Sequence, residues 1–267
     1  MNIVDFHTHI FPDAIAERTI SMLSEKTQIK AYSNGTLDGL RRQMQTSGVA
    51  LSVILPVITR AKQFDSILKF AVETNEHYDD LLSFGAVFPG DEGYKAKLRL
   101  MKEYGIKGIK IHPNSHAIDF NDKRTMNLVY AACEEDMIIS VHAGKDVGIP
   151  EVINNTPDMI VDVLDQIRPK KLVLAHAGAW GMWDEVEAKI CGRDVYMDLA
   201  YTTDNIDTAQ LKRIIESHGS DKVLFATDLP WSGQKESIEF LKSLELGDEA
   251  ENRILSSNAY TLLGVGE

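Results

Sequence analysis

The chain has 267 residues and a formal net charge of −12, with 44% hydrophobic and 25% charged residues. This length suits one α/β barrel, so we expect a single domain over residues 1–267. The negative charge argues against a nucleic-acid or anionic-membrane surface, and no apolar run approaches the roughly 20 residues of a membrane span. An N-terminus without a signal pattern, and only two distant cysteines, Cys133 and Cys191, predict a cytoplasmic protein without a disulfide framework.

Eight short apolar runs predict β-strands along the chain. They are Ile3–His7, Ala50–Leu55, Leu82–Val87, Gly108–His112, Ile138–His142, Leu172–His176, Val195–Leu199 and Val223–Thr227. Most are apolar throughout rather than alternating, which is typical of parallel strands covered on both faces.

Amphipathic stretches between these strands predict helices. They are Lys62–Tyr78, Tyr94–Tyr104, Lys123–Glu135, Pro157–Gln166, Met182–Ile190 and Ala209–Ser217. Regular strand–helix alternation predicts an α/β fold, a single (β/α)8 TIM barrel, rather than an open sheet, and no glycine-rich nucleotide motif is present. We expect Thr27–Gly35 to form an extended loop over the barrel mouth and Asp248–Leu263 to form closing helices.

Histidines mark the ends of half of the predicted strands. The four at these ends are His7, His112, His142 and His176. The carboxyl ends of barrel strands carry the catalytic groups in this architecture, so these rings are predicted to meet in one site. His77 and His218 lie late in predicted helices, and we expect both on the surface.

Three short motifs carry the predicted chemistry. His7-Thr8-His9 places two imidazoles on the same side of an extended segment, where both can bind one metal ion. His142 and His176 are each followed by Ala-Gly, which allows a tight turn at the mouth. Asp228 follows the last strand, and a carboxylate there can bind a metal, accept a proton from water, or do both.

These motifs, in this strand order, resemble the amidohydrolase superfamily over essentially the whole chain. The closest likeness is to amidohydrolase family 2, the branch that includes aminocarboxymuconate-semialdehyde decarboxylase. The resemblance rests on Asp5-Phe-His-Thr-His9, His142-Ala-Gly, His176-Ala-Gly, Ala-Thr-Asp228-Leu-Pro and the closing Ile254–Gly264 segment. It implies that His7, His9, His142 and Asp228 hold one divalent ion, zinc, with His176 beside it as a catalytic group. Three imidazoles and a carboxylate independently suit zinc with a position left for water.

Two features depart from the pattern of the decarboxylases in this branch. Those enzymes carry an arginine for the substrate carboxylate, and here the only candidates are Arg41, Arg42 and Arg60. Lys110-x-x-Pro113 resembles the strand-four motif of dihydroorotases, in which a carboxylated lysine bridges two metals. If Lys110 is carboxylated, His142 and His176 both bind a second ion; otherwise its ammonium pairs with a carboxylate inside the barrel.

Several further residues are expected near the site. His112 is predicted to contact the substrate, and Asp5 is a candidate hydrogen-bond partner for the histidines. Three tryptophans follow strands six and eight, where they either wall the pocket or serve ordinary packing: Trp180, Trp183 and Trp231.

The predicted function is that of a zinc-dependent hydrolase. A metal-activated water would cleave an amide, ester or lactone of a small molecule, with Asp228 as proton acceptor and His176 stabilising the oxyanion. The alternatives are a metal-dependent non-oxidative decarboxylase of a carboxylated ring or unsaturated acid, and a barrel whose metal site is only structural. The sequence favours one ion and leaves the oligomeric state open, a homo-oligomer included.

Overall fold

The computed structural model of the chain describes residues 2–266, which alternate between strands and helices. The strands are β1 Ile3–Thr8, β2 Val49–Ile54, β3 Leu81–Ser83, β4 Gly108–Ile111, β5 Ile138–Val141, β6 Leu172–Leu174, β7 Tyr196–Asp198 and β8 Val223–Leu224. The α-helices are α1 Asp13–Thr27, α2 Leu37–Ser47, α3 Phe64–His77, α4 Tyr94–Glu103, α5 Pro113–His116, α6 Lys123–Glu134, α7 Pro157–Ile167, α8 Trp183–Lys189, α9 Thr208–His218, α10 Gln234–Ser243, α11 Asp248–Asn252 and α12 Asn258–Leu263. Each predicted strand and helix is present, with ends that differ by a few residues.

The strands follow chain order around a ring. Strands β1, β2 and β3 pair in that order in one parallel sheet, and strands β4 to β8 pair in chain order in a second. Main-chain hydrogen bonds connect the two sheets at both seams. At one seam, Gly85 N donates to Gly108 O at 2.9 Å and Lys110 N donates to Gly85 O at 2.9 Å. At the other, Phe6 N donates to Phe225 O at 2.9 Å. Eight parallel strands in this order confirm the predicted (β/α)8 barrel.

Helix α12 covers the amino-terminal end of the barrel. Its Leu262 and Leu263 are buried in one cluster with Ile138 of β5, Val173 of β6 and Leu224 of β8. Burial of each leucine contributes on the order of 2 kcal/mol, so this helix stabilises the end of the barrel remote from the predicted site. Together with α11 and a π-helical turn at Arg253–Ser257, it forms the predicted closing helices.

The strands end earlier than the apolar runs predict. His112 and His142 lie just beyond β4 and β5, and His176 lies beyond β6 where the chain turns. His176 and Ala177 have φ values of 64° and 52°, so the backbone leaves the extended conformation at the histidine itself.

His218 is buried, and the prediction that it lies on the surface is wrong. Its Nε2 lies 2.8 Å from the carbonyl oxygen of Val195 and its Nδ1 accepts from Gly192 N at 3.3 Å, so it joins the end of α9 to the start of β7. His77 is exposed at the end of α3, as predicted.

The segment after α1 reaches the barrel mouth, as predicted for Thr27–Gly35. Tyr32 N donates to the carbonyl oxygen of Pro230 at 2.7 Å, which ties this loop to the segment that follows Asp228. None of the helices within residues 2–266 has the length and apolar character needed to cross a membrane.

Candidate metal centre

Five histidines gather at the carboxyl-terminal mouth of the barrel. The ring centroids of His7 and His9 lie 4.9 Å apart, and those of His7 and His176 lie 5.5 Å apart. His142 lies 4.8 Å from His176 and 4.2 Å from His112, again between ring centroids. The strand-end histidines therefore meet in one site, because parallel strands deliver their carboxyl ends to one face of the barrel.

His7, His9 and Asp228 form what we term the first donor group. His7 Nε2 lies 3.1 Å from His9 Nε2, and Asp228 Oδ1 lies 3.1 Å from His9 Nε2 and 3.4 Å from His7 Nε2. A tetrahedral zinc ion with bonds of 2.0–2.1 Å places its ligand atoms about 3.3 Å apart. The three atoms therefore have the spacing of three ligands to one such ion.

The hydrogen bonds of the other ring nitrogens fix the tautomers of His7 and His9. His7 Nδ1 lies 2.9 Å from Asp198 Oδ2, and His9 Nδ1 lies 2.8 Å from the carbonyl oxygen of Leu55. Both neighbours accept a hydrogen bond, so each Nδ1 carries the proton and each Nε2 has a free lone pair. The two lone pairs face one another beside the Asp228 carboxylate.

His142 and His176 form what we term the second donor pair. His176 Nδ1 lies 2.9 Å from the carbonyl oxygen of Ala200, and His142 Nε2 lies 3.1 Å from that of Lys145. The remaining nitrogens, His176 Nε2 and His142 Nδ1, are therefore unprotonated in the neutral rings, and they lie 3.0 Å apart. His142 lies with His176 rather than within the first donor group.

Two facing lone pairs repel each other unless a cation lies between them, either a proton on one ring or a metal ion bound to both. Burial lowers the pKa of His142 and of His176 to about 4, and burial also lowers the pKa of His7 well below its ordinary value. A proton is therefore disfavoured at neutral pH. The donor set fits a divalent metal, which binds neutral imidazole.

Asp228 supplies the negative charge of the first donor group. Burial raises the pKa of this carboxyl, but the neighbouring imidazoles of His7 and His9 favour its ionised form more strongly, so the net pKa lies below the ordinary value. Its backbone adopts a left-handed φ of 69°, and its N–H donates to the carbonyl oxygen of His7 at 2.8 Å. Asp228 is thus an ionised carboxylate held against β1.

Lys110 lies beside the first donor group, close enough to the second donor pair for its charge to help lower the pKa of His142 and of His176. It is 1% exposed, and its Nζ lies 3.1 Å from His7 Nε2. Within residues 2–266 no carboxylate oxygen comes within 4.0 Å of this nitrogen, so the expected ion pair inside the barrel is absent from the described chain. Burial lowers the pKa of Lys110 to about 8, although Asp198 and Asp228 oppose the shift.

His112 and Asp146 lie on the far side of the second donor pair. The His112 and His142 rings stack with an interplanar angle of 5°, and Asp146 Oδ2 lies 3.4 Å from His112 Nε2. Ligand atoms of these three residues also lie within 4.8 Å of one another. A metal ion lies in the plane of the imidazole that binds it, however, so two stacked rings cannot share an ion without moving.

Asp5 is not a partner of the histidine rings, contrary to expectation. Its carboxylate accepts from Thr227 Oγ1 at 2.6 Å, from Thr227 N at 3.0 Å and from Gln234 Nε2 at 2.8 Å. Burial raises the pKa of Asp5 to about 6 against these hydrogen bonds. Asp5 instead ties β1 to Thr227, the residue before Asp228.

Sequence reasoning missed two aspartates of the site. Asp198 is fully buried at the end of β7 and contacts His7, and Asp146 follows β5 and contacts His112. An ionisable residue at the end of an apolar strand was the signal used for the histidines. The same signal was available for Asp198 in the predicted Val195–Leu199 strand.

The candidate arginines do not form a buried carboxylate site. Arg41 Nε lies 2.9 Å from Asp80 Oδ2, and Asp80 directly precedes β3, so Arg41 lies at the face opposite the histidines. Arg42 lines the same surface groove as Arg41. Arg60 follows β2 and is exposed. Across residues 2–266, no arginine is buried.

The three tryptophans lie at the mouth end of the barrel. Trp183 Nε1 donates to the carbonyl oxygen of His176 at 3.1 Å. Trp180 N donates to Ala143 O at 2.8 Å, and a side chain at Gly144 would collide with Trp180 N at 2.4 Å, so glycine is required for this close approach. Trp231 N donates to Asp228 O at 2.8 Å.

Residues 4–265 match the sequence model of the amidohydrolase family known as Amidohydro_2. The chain belongs to the amidohydrolase family. The match covers every histidine of the site and all of the strands except Ile3, the first residue of β1, and it confirms the resemblance drawn from the motifs. Comparison with curated protein sequences gives no match.

Solved structures of several amidohydrolases are similar over nearly the whole chain. An uncharacterised TIM-barrel protein from Bordetella bronchiseptica has a TM-score of 0.78 at 18% identity, covering 99% of each chain. A 5-carboxyvanillate decarboxylase from Sphingomonas paucimobilis has a TM-score of 0.74 at 12% identity, covering 99% of each chain. A putative 2-pyrone-4,6-dicarboxylic acid hydrolase from Pseudomonas putida has a TM-score of 0.68 at 14% identity, covering 98% of this chain and 97% of the other. At these identities the likeness establishes the fold, which decarboxylases and hydrolases share.

Proposed function

We propose that this amidohydrolase is a zinc-dependent hydrolase that cleaves an amide, ester or lactone bond of a small molecule. The observation that carries the proposal is the first donor group. Two unprotonated imidazole nitrogens and an ionised carboxylate oxygen lie within 3.4 Å of one another at the mouth. This set suits a zinc ion with an open position for water.

The proposed ligands divide between two ions. His7, His9 and Asp228 would hold the first, and His142 and His176 would hold the second. A carboxylated Lys110 would contribute to both, because its amine is buried beside the first donor group without a paired carboxylate in the described chain, and its charge also acts on His142 and His176. The facing nitrogens of His142 and His176 favour this arrangement over the single ion that the sequence favours.

A bound divalent ion supplies Lewis-acid chemistry: it polarises a carbonyl and lowers the pKa of a water. Asp228, which its lowered pKa keeps ionised, would accept the proton of the attacking water and pass it to the leaving group. The second donor pair lies beside the first donor group, with 5.5 Å between the His176 and His7 rings, where its ion would stabilise the developing oxyanion. His112, partly exposed beside His142, is proposed to contact the substrate.

A decarboxylase of a carboxylated ring is the second candidate, since solved decarboxylases share the fold. Recognition of a substrate carboxylate favours a desolvated, bidentate arginine. No arginine is buried within residues 2–266, and Asp146, beside His112 at the mouth, would repel a carboxylate. These charges support hydrolysis of a neutral carbonyl compound.

The test combines metal analysis with product identification. The purified protein would be analysed for bound metal and then screened against lactones, amides, esters and carboxylated aromatic acids. Release of a new acid from a neutral substrate supports the hydrolase, and release of carbon dioxide supports the decarboxylase. A protein that binds metal but converts no member of either class would support a structural metal site. A small-molecule substrate and a cytoplasmic location stay predictions.

A further inference from the structure

Asp198 connects the two halves of the centre through its two carboxylate oxygens. Its Oδ2 lies 2.9 Å from His7 Nδ1. Its Oδ1 accepts from the backbone N–H of His176 at 3.1 Å and from that of Ala200 at 3.0 Å. The side chain is fully buried at the end of β7, so no water competes for these contacts.

We propose that Asp198 is a positioning residue that keeps the lone pair of His7 on Nε2. As a carboxylate it can only accept from His7, so it holds the ring proton on Nδ1 and leaves Nε2 unprotonated toward His9, Asp228 and the Nζ of Lys110. This inference rests on the proposed function, because a free Nε2 matters only if the first donor group binds a metal.

The geometry predicts that asparagine at this position reverses the tautomer of His7. Two backbone N–H groups fix the amide oxygen of the new side chain on the Oδ1 side, where His176 and Ala200 donate. The amide NH2 would then face His7 Nδ1 and donate to it. His7 would have to carry its proton on Nε2, which removes the lone pair from the first donor group.

The same substitution leaves the turn after β6 intact. His176 and Ala177 adopt left-handed φ values, which are strained for residues other than glycine. Asp198 supports this turn through Oδ1 at His176 N and through its main-chain oxygen, which accepts from Ala177 N at 2.7 Å. Asparagine retains both acceptors. Asp198→Asn should therefore change the tautomer of His7 without disturbing the turn after β6.

The test is a nitrogen-15 NMR measurement on the imidazole rings of the metal-free protein. In the wild type, His7 Nδ1 should have the chemical shift of a protonated nitrogen and Nε2 that of an unprotonated one. In Asp198→Asn the two shifts should exchange, and zinc affinity, measured against a competing chelator, should fall by about 10–100-fold. Asp207→Asn is the matched control, because Asp207 is an exposed helix cap and asparagine caps equally well.

Two results would overturn the inference: a protonated Nε2 of His7 in the wild type, or unchanged His7 shifts in Asp198→Asn. If the variant fails to fold, the wild-type shifts alone still show whether Nε2 of His7 is protonated. An exchange of shifts in a protein that binds no zinc would uphold the positioning role of Asp198 and refute the proposed function. A merely structural role would lower thermal stability without moving these shifts.

Discussion

Nε2 of His176 lies 3.0 Å from Nδ1 of His142, although the second nitrogen of each ring already faces a main-chain carbonyl oxygen. Two lone pairs thus point at each other in a buried site. This relationship separates His142 from the first donor group and makes it the partner of His176. It therefore leads us to expect two bound ions per chain, a number that metal analysis can measure.

We predict that replacing His7 and His9 together with alanine removes the ion of the first donor group. Both Nε2 atoms are lost, and one carboxylate oxygen of Asp228 does not hold a zinc ion alone. Metal content per chain, measured by mass spectrometry, should fall by about one ion while the circular dichroism spectrum is retained. His77→Ala, at an exposed position, is the control, and full metal retention in the double variant would refute this site.

We predict that His176→Asn and Lys110→Ala each lower the metal content by about half. His176 supplies one nitrogen of the second donor pair, and a carboxylated Lys110 would supply the bridging oxygens. Unchanged metal content in both variants would instead establish the one-ion centre, with His176 free to act on the substrate.

We predict that Asp228→Asn lowers kcat by about 10²–10⁴-fold on the substrate that the screen identifies. Asparagine keeps the shape but cannot accept a proton from water. It also tolerates the left-handed φ of 69° at this position, so the fold should be preserved. A near-normal kcat, with a melting temperature close to that of the wild type, would exclude Asp228 as the proton acceptor.

His116 should contribute to acid destabilisation. The ring is 6% exposed, and within residues 2–266 no hydrogen bond of good geometry reaches either nitrogen. Burial lowers the pKa of His116 to about 4, partly opposed by the backbone of Ile58. Between pH 6.5 and 4 the unfolded chain binds a proton at this residue and the folded chain does not. The contribution of neutral His116 is therefore present above pH 6.5 and lost as the pH falls, by about 3 kcal/mol at pH 4.

His116→Leu should flatten this acid limb in urea unfolding of the metal-free protein between pH 6.5 and 4. The change removes the titrating ring and keeps an apolar contact with Phe88, whose ring centroid lies 5.3 Å from that of His116. His77→Gln should leave the pH dependence as in the wild type, because His77 is exposed. An acid limb of equal steepness in His116→Leu would show that His116 is not buried as a neutral ring.

Local periodicity was sufficient to predict the barrel and the gathering of the site. Parallel strands with both faces covered are apolar throughout, and a barrel brings their carboxyl ends to one face. The sequence alone therefore placed four site residues at one face of the barrel: His7, His142, His176 and Asp228. The ends of the strands could not be predicted in this way, because His176 lies in a left-handed turn that tertiary hydrogen bonds to Asp198 support.

Only the tertiary structure shows which ligand atoms lie together in the first donor group and which lie in the second donor pair. The sequence places His142 at a strand end, but the tautomer of an imidazole depends on what its second nitrogen meets, here the carbonyl oxygen of Lys145. Likewise, Asp198 contacts His7 across a separation of 191 residues, and Arg41 pairs with Asp80 at the opposite face. Sequence spacing determines which face of the barrel a side chain reaches, whereas distances between strands far apart in the chain determine which atoms meet there.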